Sequence, residues 1–427
     1  MTRHTDEIID PVLPRESRAM TIGIKYIAHG DASGYGLAAL GYVRALHHAG
    51  VALWWQPWHL GANPAPIDTT SWRAAEGDAS LADIAELARA TGRPVEYDTV
   101  VAHTPPEDWP RFVEAGKRFV GYTVWEVDAL PAHWPALLNR ADLILVPSQL
   151  NREIFLRCGV TRPVRVVPHV RRHAWSGAAQ EDAPALRRQM RIPEEHFVFY
   201  SICSWDPRKA LGELIELFVR EFASTEPVTL LLKTSSLVTT WALGAQSSMG
   251  VKLSVKQLAA RIAEDASRAV GRAAANVRCI AAEGLSGRVI DAIHAAGDAY
   301  VSLAHGEGWG MGAFDAATLG KPVLITGWGG QLDYLGADYP GLLRYEMVPV
   351  RGWLPHASPT LPHASLAPAQ RWAMADSRHA AQLMRAAMAR ERSLLHAATA
   401  VREKIAIRFA EPVVARQFIE ALAASPS

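Results

Sequence analysis

Two carboxylates, Glu307 and Asp315, stand eight positions apart around the segment His305-Gly306-Glu307-Gly308-Trp309-Gly310-Met311-Gly312. Four glycines in seven residues let a backbone approach a ligand closely and adopt conformations closed to other residues. The apolar run Ala299–Ala304 leads in, Ala313–Leu319 reads as a helix that Gly320 stops, and Pro322–Ile325 reads as the next strand. A loop that opens onto a helix start offers free N–H groups and the positive end of the macrodipole to an anion such as a phosphate. Carboxylates suit vicinal diols, because each oxygen accepts its own hydrogen bond. Glu307 in the loop is therefore expected to face a sugar, and Asp315 in the first helical turn to accept from ribose hydroxyls. The plainer alternative makes Asp315 a dipole partner and Glu307 a solvated loop acid. Strand, glycine turn, helix and acids together point to a nucleotide-linked ligand.

Further candidates sit at other predicted strand ends. Ser204-Trp205-Asp206-Pro207-Arg208-Lys209 follows a strand and leads into a helix, so Arg208 and Lys209 lie where a cleft is expected. Adjacent cations at a helix N-terminus oppose the dipole unless an anion compensates, and a diphosphate would do so. Lys233, closing the strand before Thr234-Ser235-Ser236, either joins that anion site or snorkels to the surface. His29-Gly30-Asp31-Ala32-Ser33-Gly34-Tyr35-Gly36 lacks the Gly-x-Gly-x-x-Gly spacing of dinucleotide binders. It reads as a ligand-facing loop through Gly34, Tyr35 and Gly36, or as a tight turn capped by Asp31 or Ser33. His103, before Thr104-Pro105-Pro106, is placed to reach a reaction centre or to be a satisfied structural histidine. Glu126 is a candidate for acceptor hydroxyls or a strand-end cap, and His169 is a further acceptor-side candidate. No Asp-x-Asp, Cys/His ligand set, Walker-type loop or Gly-x-Ser-x-Gly elbow occurs, so no metal site is expected.

These residues need strands to hold them. Strands are expected at Thr21–Ala28, Val51–Trp55, Thr99–Ala102, Phe119–Val124, Asp142–Val146 and Val164–Val167. A second series runs Phe197–Ile202, Val228–Lys233, Val277–Ala281, Ala299–Leu303 and Val323–Thr326. Several are unbroken Val/Ile/Leu runs, the pattern of strands buried on both faces of a parallel sheet. Helical patterns at Leu37–His48, Leu81–Ala90, Leu211–Phe222 and Gly287–Ala296 alternate with them, which gives two doubly wound α/β units. The boundary falls between Pro168 and Arg191, Thr239–Arg272 reads as a helical insertion, Pro349–Pro368 as a surface loop, and Asp376–Ala424 as two or more helices.

At 427 residues, two domains are the natural expectation, and 49% hydrophobic residues supply large cores. A formal charge of +1, with no interleaved basic and aromatic residues, argues against nucleic acid. Cys158, Cys203 and Cys279 have neither metal nor disulfide spacing and fit a reducing cytoplasm. Met1–Met20 has no apolar core of a signal peptide, and no run reaches the ~20 apolar residues of a membrane span. Nine arginines between Asn151 and Arg191 make a solvated surface or, at most, a peripheral contact with the inner face of a membrane.

The run from His305 to Val323 resembles the Glu-x7-Glu region of retaining GT-B glycosyltransferases in its glycines, spacing and trailing Gly-x-Pro-Val. Val146–Asn151 and Val166–His169 resemble that family's inter-domain region, and Arg208-Lys209 its phosphate-binding pair. The resemblance implies two Rossmann-like domains facing a cleft, an acceptor-side domain over 1–175, a nucleotide-sugar domain over 190–400, and a C-terminal helix in 401–427 crossing back to the first. It implies a metal-independent hexosyltransferase with a nucleotide diphosphate sugar, UDP- or GDP-linked, as co-substrate and no other cofactor. The acceptor would be a saccharide, lipid-linked or protein hydroxyl in bacterial glycan or glycoconjugate synthesis. Carried over by position, Glu307 contacts the donor sugar and Asp315 the ribose. Arg208 and Lys209 hold the diphosphate beside Gly308, Trp309, Gly310, Met311 and Gly312. His103 lies near the anomeric centre, and Gly34 and Gly36 line the cleft. Two departures stand out: Asp315 is a methylene shorter than the usual Glu, and Ser204 occupies the position of the family's earlier arginine. A non-catalytic sugar-nucleotide binder, an epimerase or a phosphorylase on the same architecture are the alternatives.

Overall fold

The computed structural model describes residues 23–31, 33–58, 79–172, 178–236, 254–351 and 370–424. The expectations for Met1–Met20, for the first half of the Thr239–Arg272 insertion and for the 352–369 loop lie outside these residues.

A first sheet is built from β1 (Gly23–His29), β2 (Ala52–Trp58), β3 (Thr99–His103), β4 (Arg118–Tyr122), β5 (Leu143–Val146) and β6 (Val164–Val166), in the order β2-β1-β3-β4-β5-β6. A second contains β7 (Phe197–Ile202), β8 (Val228–Thr234), β9 (Asn276–Ala281), β10 (Ala299–Ser302), β11 (Val323–Thr326) and β12 (Leu342–Leu343), in the order β12-β11-β10-β7-β8-β9. Every neighbouring pair in both sheets is parallel. Apolar runs without alternation form these strands because helices cover both faces: all of β3, β5, β10 and β11 is buried. The strand order reverses between β1 and β3 in one sheet and between β7 and β10 in the other, and ligands of such sheets bind outside the carboxyl ends at those points.

The chain's end belongs to both halves. The helix Arg392–Arg408 buries Val401 and Ile405 against the second sheet. It stops at Phe409, with Pro412 unable to continue it, and the helix Glu411–Ala423 crosses back to bury Val414, Phe418 and Leu422 in the core of the first sheet. Phe418 lies 5.5 Å from the Tyr42 ring. An unforeseen antiparallel hairpin, β13 (Tyr345–Pro349) with β14 (Arg371–Ala375), also bridges the halves. Its Trp372 joins the core of the first sheet, while the Ala373 N–H donates to the His305 carbonyl at 2.8 Å. The insertion yields a helix at Val255–Val270, closed by a capping box between Ser254 and Gln257.

Candidate active site

At the switch point of the second sheet, the segments leaving β7 and β10 meet. Asp206 caps a single 3-10 turn, Pro207–Lys209, by accepting from the Arg208 N–H at 2.9 Å. Ala210 at φ 51° then breaks the chain direction before the helix Leu211–Glu221 begins. Arg208 and Lys209 therefore form a separate turn outside the carboxyl end of β7, ahead of a helix that starts at Leu211 as expected. Lys209 Nζ lies 2.7 Å from both carboxylate oxygens of Glu307. Arg208 Nη2 lies 2.7 Å from Glu126 Oε1 across the domain boundary, and its Nη1 lies 3.6 Å from Glu307. Burial pushes the Glu307 carboxyl up, but Lys209 and Arg208 outweigh it and hold its pKa below the ordinary value.

Gly310 stands at φ 83° as the cap of the helix Met311–Thr318, a backbone state that only glycine adopts without strain. Asp315 is the fifth residue of that helix, beyond the first turn in which it was expected. The neighbouring glycines serve a close approach to protein: a Cβ on Gly308 would lie 1.9 Å from Val124 Cγ2, and one on Gly306 1.8 Å from the Glu126 carbonyl oxygen. Trp309 follows the same direction, its ring 5.4 Å from that of His169 in a T-shaped contact. The loop foreseen as a ligand wall thus also forms the seam between the domains.

On the first domain, Ser33 caps the helix Gly34–His48 by accepting from the Gly36 N–H at 3.2 Å, while Asp31 accepts from Ser33. A Cβ on Gly34 would meet nothing within 4 Å. The Tyr35 hydroxyl reaches Thr123 Oγ1 at 3.1 Å, beside the strand end that carries Glu126. His103, at the end of β3, is buried among Tyr26, Tyr35, Tyr42 and Tyr122; its Nδ1 pairs with the Tyr26 hydroxyl at 2.9 Å, and the Tyr122 ring is 4.2 Å away. His169 pairs with the Tyr42 hydroxyl at 2.9 Å. Burial drives His103 well below its ordinary pKa, helped by the nearby His169 and His29, and pushes His169 down to about 3. Both imidazoles are neutral at pH 7 and so can donate or accept hydrogen bonds without carrying charge.

Asp315 stands apart from Glu307. Arg172, from the inter-domain linker, spans Asp315 Oδ2 at 3.2 Å and Asp291 at 3.1 Å. Burial raises the Asp315 pKa, and Arg172 offsets only part of that. Lys233 is the penultimate residue of β8, opposite Ile202 and half-buried, with its pKa lowered by burial and partly restored by Glu283. Lys321 is committed to the fold, since its Nζ donates to the Gly297 carbonyl at 2.7 Å. The structure therefore joins Arg208, Lys209, Glu307 and Glu126 in one cluster, and links His103, His169, Tyr35 and Trp309 through ring contacts and hydrogen bonds. Arg172, the tyrosine cage and the hairpin were not foreseen. Arg172 was hidden among nine linker arginines, and the tyrosines come from three separate strands and helices.

No known family profile matches the chain, and no curated protein matches it in sequence. Solved structures do. HepE of Anabaena, in complex with UDP-glucose, is 16% identical, with 94% of this chain and 99% of that one covered at a TM-score of 0.62. Sucrose-phosphate synthase from Thermosynechococcus elongatus is 14% identical, with 95% and 100% covered at a TM-score of 0.60. A trehalose-6-phosphate synthase, an enzyme of glycosyl transfer with retention, is 14% identical, with 95% and 100% covered at a TM-score of 0.57. Together with the two parallel six-stranded sheets and the returning C-terminal helix, this likeness establishes a GT-B fold. Among the described residues no helix is long and apolar enough to cross a membrane.

Proposed function

We propose that the chain is a retaining glycosyltransferase that moves a hexosyl group from a nucleotide diphosphate sugar to an acceptor hydroxyl. The observation that carries this reading is the Lys209–Glu307 pair at the switch point between β7 and β10, on a fold shared with a protein that binds UDP-glucose. A cation and a carboxylate side by side match the two halves of such a donor, phosphate and sugar hydroxyls. Lys209 and the amides at the start of the Met311–Thr318 helix would offset the charge that develops on the leaving diphosphate. Glu307 would accept from donor-sugar hydroxyls, and His103 would stand on the acceptor side near the anomeric carbon.

Glu307 is engaged by Lys209 through both oxygens, and Asp315 stands apart from it beside Arg172, so neither is assigned as a nucleophile. The reaction is therefore written as front-face displacement. The acceptor oxygen bonds to the anomeric carbon as the bond to the phosphate oxygen breaks. The electron pair leaves with the nucleoside diphosphate, and the acceptor proton passes to that departing oxygen. Asp315 would serve the ribose through the oxygen that Arg172 leaves open. A UDP- or GDP-hexose is the proposed donor, and bacterial glycan or glycoconjugate synthesis the setting. Incubation with UDP- and GDP-hexoses, with nucleoside diphosphate release followed and the product's anomeric configuration read by NMR, tests the reading. A retained anomer is expected; an inverted product refutes retention, and binding without release under any condition favours a non-catalytic sugar-nucleotide binder.

A further inference from the structure

The resemblance assigns Arg208 to the donor's diphosphate, yet its side chain is only 7% exposed and its guanidinium is turned to protein groups. Nη2 meets Glu126 of the first domain at 2.7 Å, and Nη1 donates to the Gly306 carbonyl and lies 3.6 Å from Glu307. The Arg208 carbonyl accepts from the His305 N–H at 2.7 Å, so both ends of the residue grip the loop that carries Glu307. Glu126 is equally well anchored. The buried Asn151 accepts from the Trp125 N–H at 2.9 Å and donates to the Trp125 carbonyl at 2.7 Å, which fixes the backbone immediately before it. At this point the Gly306 Cα abuts the Glu126 carbonyl, leaving no room for a side chain.

We propose that Arg208 is an inter-domain strut: through Glu126 it sets the distance between the loop bearing Glu307 and the first domain, and it is a positioning residue, not a phosphate ligand. A planar fork can engage two carboxylates in fixed directions, and a buried guanidinium holds its place only while they compensate it. The diphosphate charge then falls to Lys209, whose neighbouring arginine is committed elsewhere. Donor and acceptor sides of a cleft must keep their spacing to within about 1 Å, since a misplacement of that size costs on the order of 100-fold in rate.

The inference rests on the proposed transfer for its kinetic readout and has a second readout that does not. Glu126→Gln and Arg208→Lys are compared with wild type for UDP binding by calorimetry and for UDP-hexose turnover. Both variants are expected to bind UDP within about two-fold of wild type while kcat falls by at least about ten-fold. UDP binding lost in Arg208→Lys as severely as in Lys209→Ala would make Arg208 a phosphate ligand and overturn the strut. Amide hydrogen exchange supplies the independent arm. Glu126→Gln, a change in the first domain, is expected to accelerate exchange across 303–309 in the second, and unchanged exchange there overturns the strut. If wild type turns over no sugar nucleotide while that coupled exchange is seen, the strut stands and only the transferase reading falls.

Discussion

Both carboxylate oxygens of Glu307 lie 2.7 Å from Lys209 Nζ, so the residue expected to touch the sugar and the residue expected to touch the phosphate are already bound to each other. A donor occupying this site inserts its phosphate beside Lys209 and shares the cation with Glu307. Lys209→Ala is therefore expected to weaken UDP binding by about ten- to a hundred-fold, the range of a charge-assisted contact. Lys321→Ala, which removes a donor to the Gly297 carbonyl outside the cluster, is expected to lower thermal stability and leave UDP affinity within about two-fold. Calorimetry on both variants decides it, and equal losses of affinity would remove Lys209 from its role.

Asp315 is a test of the nucleotide half. With Arg172 at 3.2 Å on Oδ2, its other oxygen is buried without a partner in the described structure. If that oxygen accepts from the ribose, Asp315→Asn should shrink the preference for UDP over 2′-deoxy-UDP from about ten-fold or more to near one, in line with a hydrogen bond to a charged group. Dissociation constants for the two nucleotides measure it. A preference that survives the substitution assigns the ribose elsewhere.

The neutral histidines make the fold acid-sensitive in a defined window. His169 has its folded pKa depressed to about 3 by burial, against about 6.5 unfolded. Between those values the unfolded chain binds the extra proton, so stability falls as pH drops below about 6.5, and the loss from His169 reaches about 2 kcal/mol at pH 5. His103 is depressed in the same direction and adds to it. Glu307 acts at lower pH: its depressed pKa contributes stability above the unfolded carboxyl value, which is lost as pH falls through the folded one. Denaturant titrations from pH 7.5 to 4.5 should show the decline, and His169→Gln should reduce its slope by about 1.4 kcal/mol per pH unit. An unchanged slope would mean that His169 titrates normally.

The sheets could be read in advance because parallel buried strands are apolar runs with little else to say. The strands predicted at Phe197–Ile202 and Val323–Thr326 and the helix predicted at Gly287–Ala296 form with those bounds. The others shift by a residue or a few, as at β2, where the aromatic Trp58 extends the strand past Trp55. What stayed hidden depends on partners distant in the chain. Nothing local tells that Arg208 turns to Glu126, 82 positions earlier, or that Arg172 reaches two helices. The break at Ala210 carries no glycine to announce it, so the separate turn of Pro207–Lys209 stayed hidden although the helix start at Leu211 did not. The hairpin escaped because Tyr345, Glu346, Arg371 and Met374 are exposed, leaving only Trp372 and Ala373 to mark a buried face.

Gly308 offers the sharpest test of the domain seam. Its Cα faces Val124 Cγ2, where an added Cβ would lie at 1.9 Å, with the Trp125 carbonyl oxygen next at 3.1 Å. Gly308 has no left-handed φ, so Gly308→Ala brings a steric penalty without a backbone one. Valine is stiff at χ1 and cannot swing its methyl away, so the seam has to open or its backbone to shift, at about 1–3 kcal/mol. Val124→Ala removes the offending methyl. The double variant Gly308→Ala/Val124→Ala is therefore expected to recover part of the stability and of the UDP-hexose turnover lost by Gly308→Ala alone, with the residual deficit set by the Trp125 carbonyl. Gly306→Ala faces the backbone oxygen of Glu126, and no side-chain substitution there should rescue it. Thermal unfolding of wild type, the two single variants Gly308→Ala and Val124→Ala, and the double variant gives the coupling energy between positions 308 and 124. Strict additivity would show that the two loops do not touch in solution, and that the seam between the domains is open.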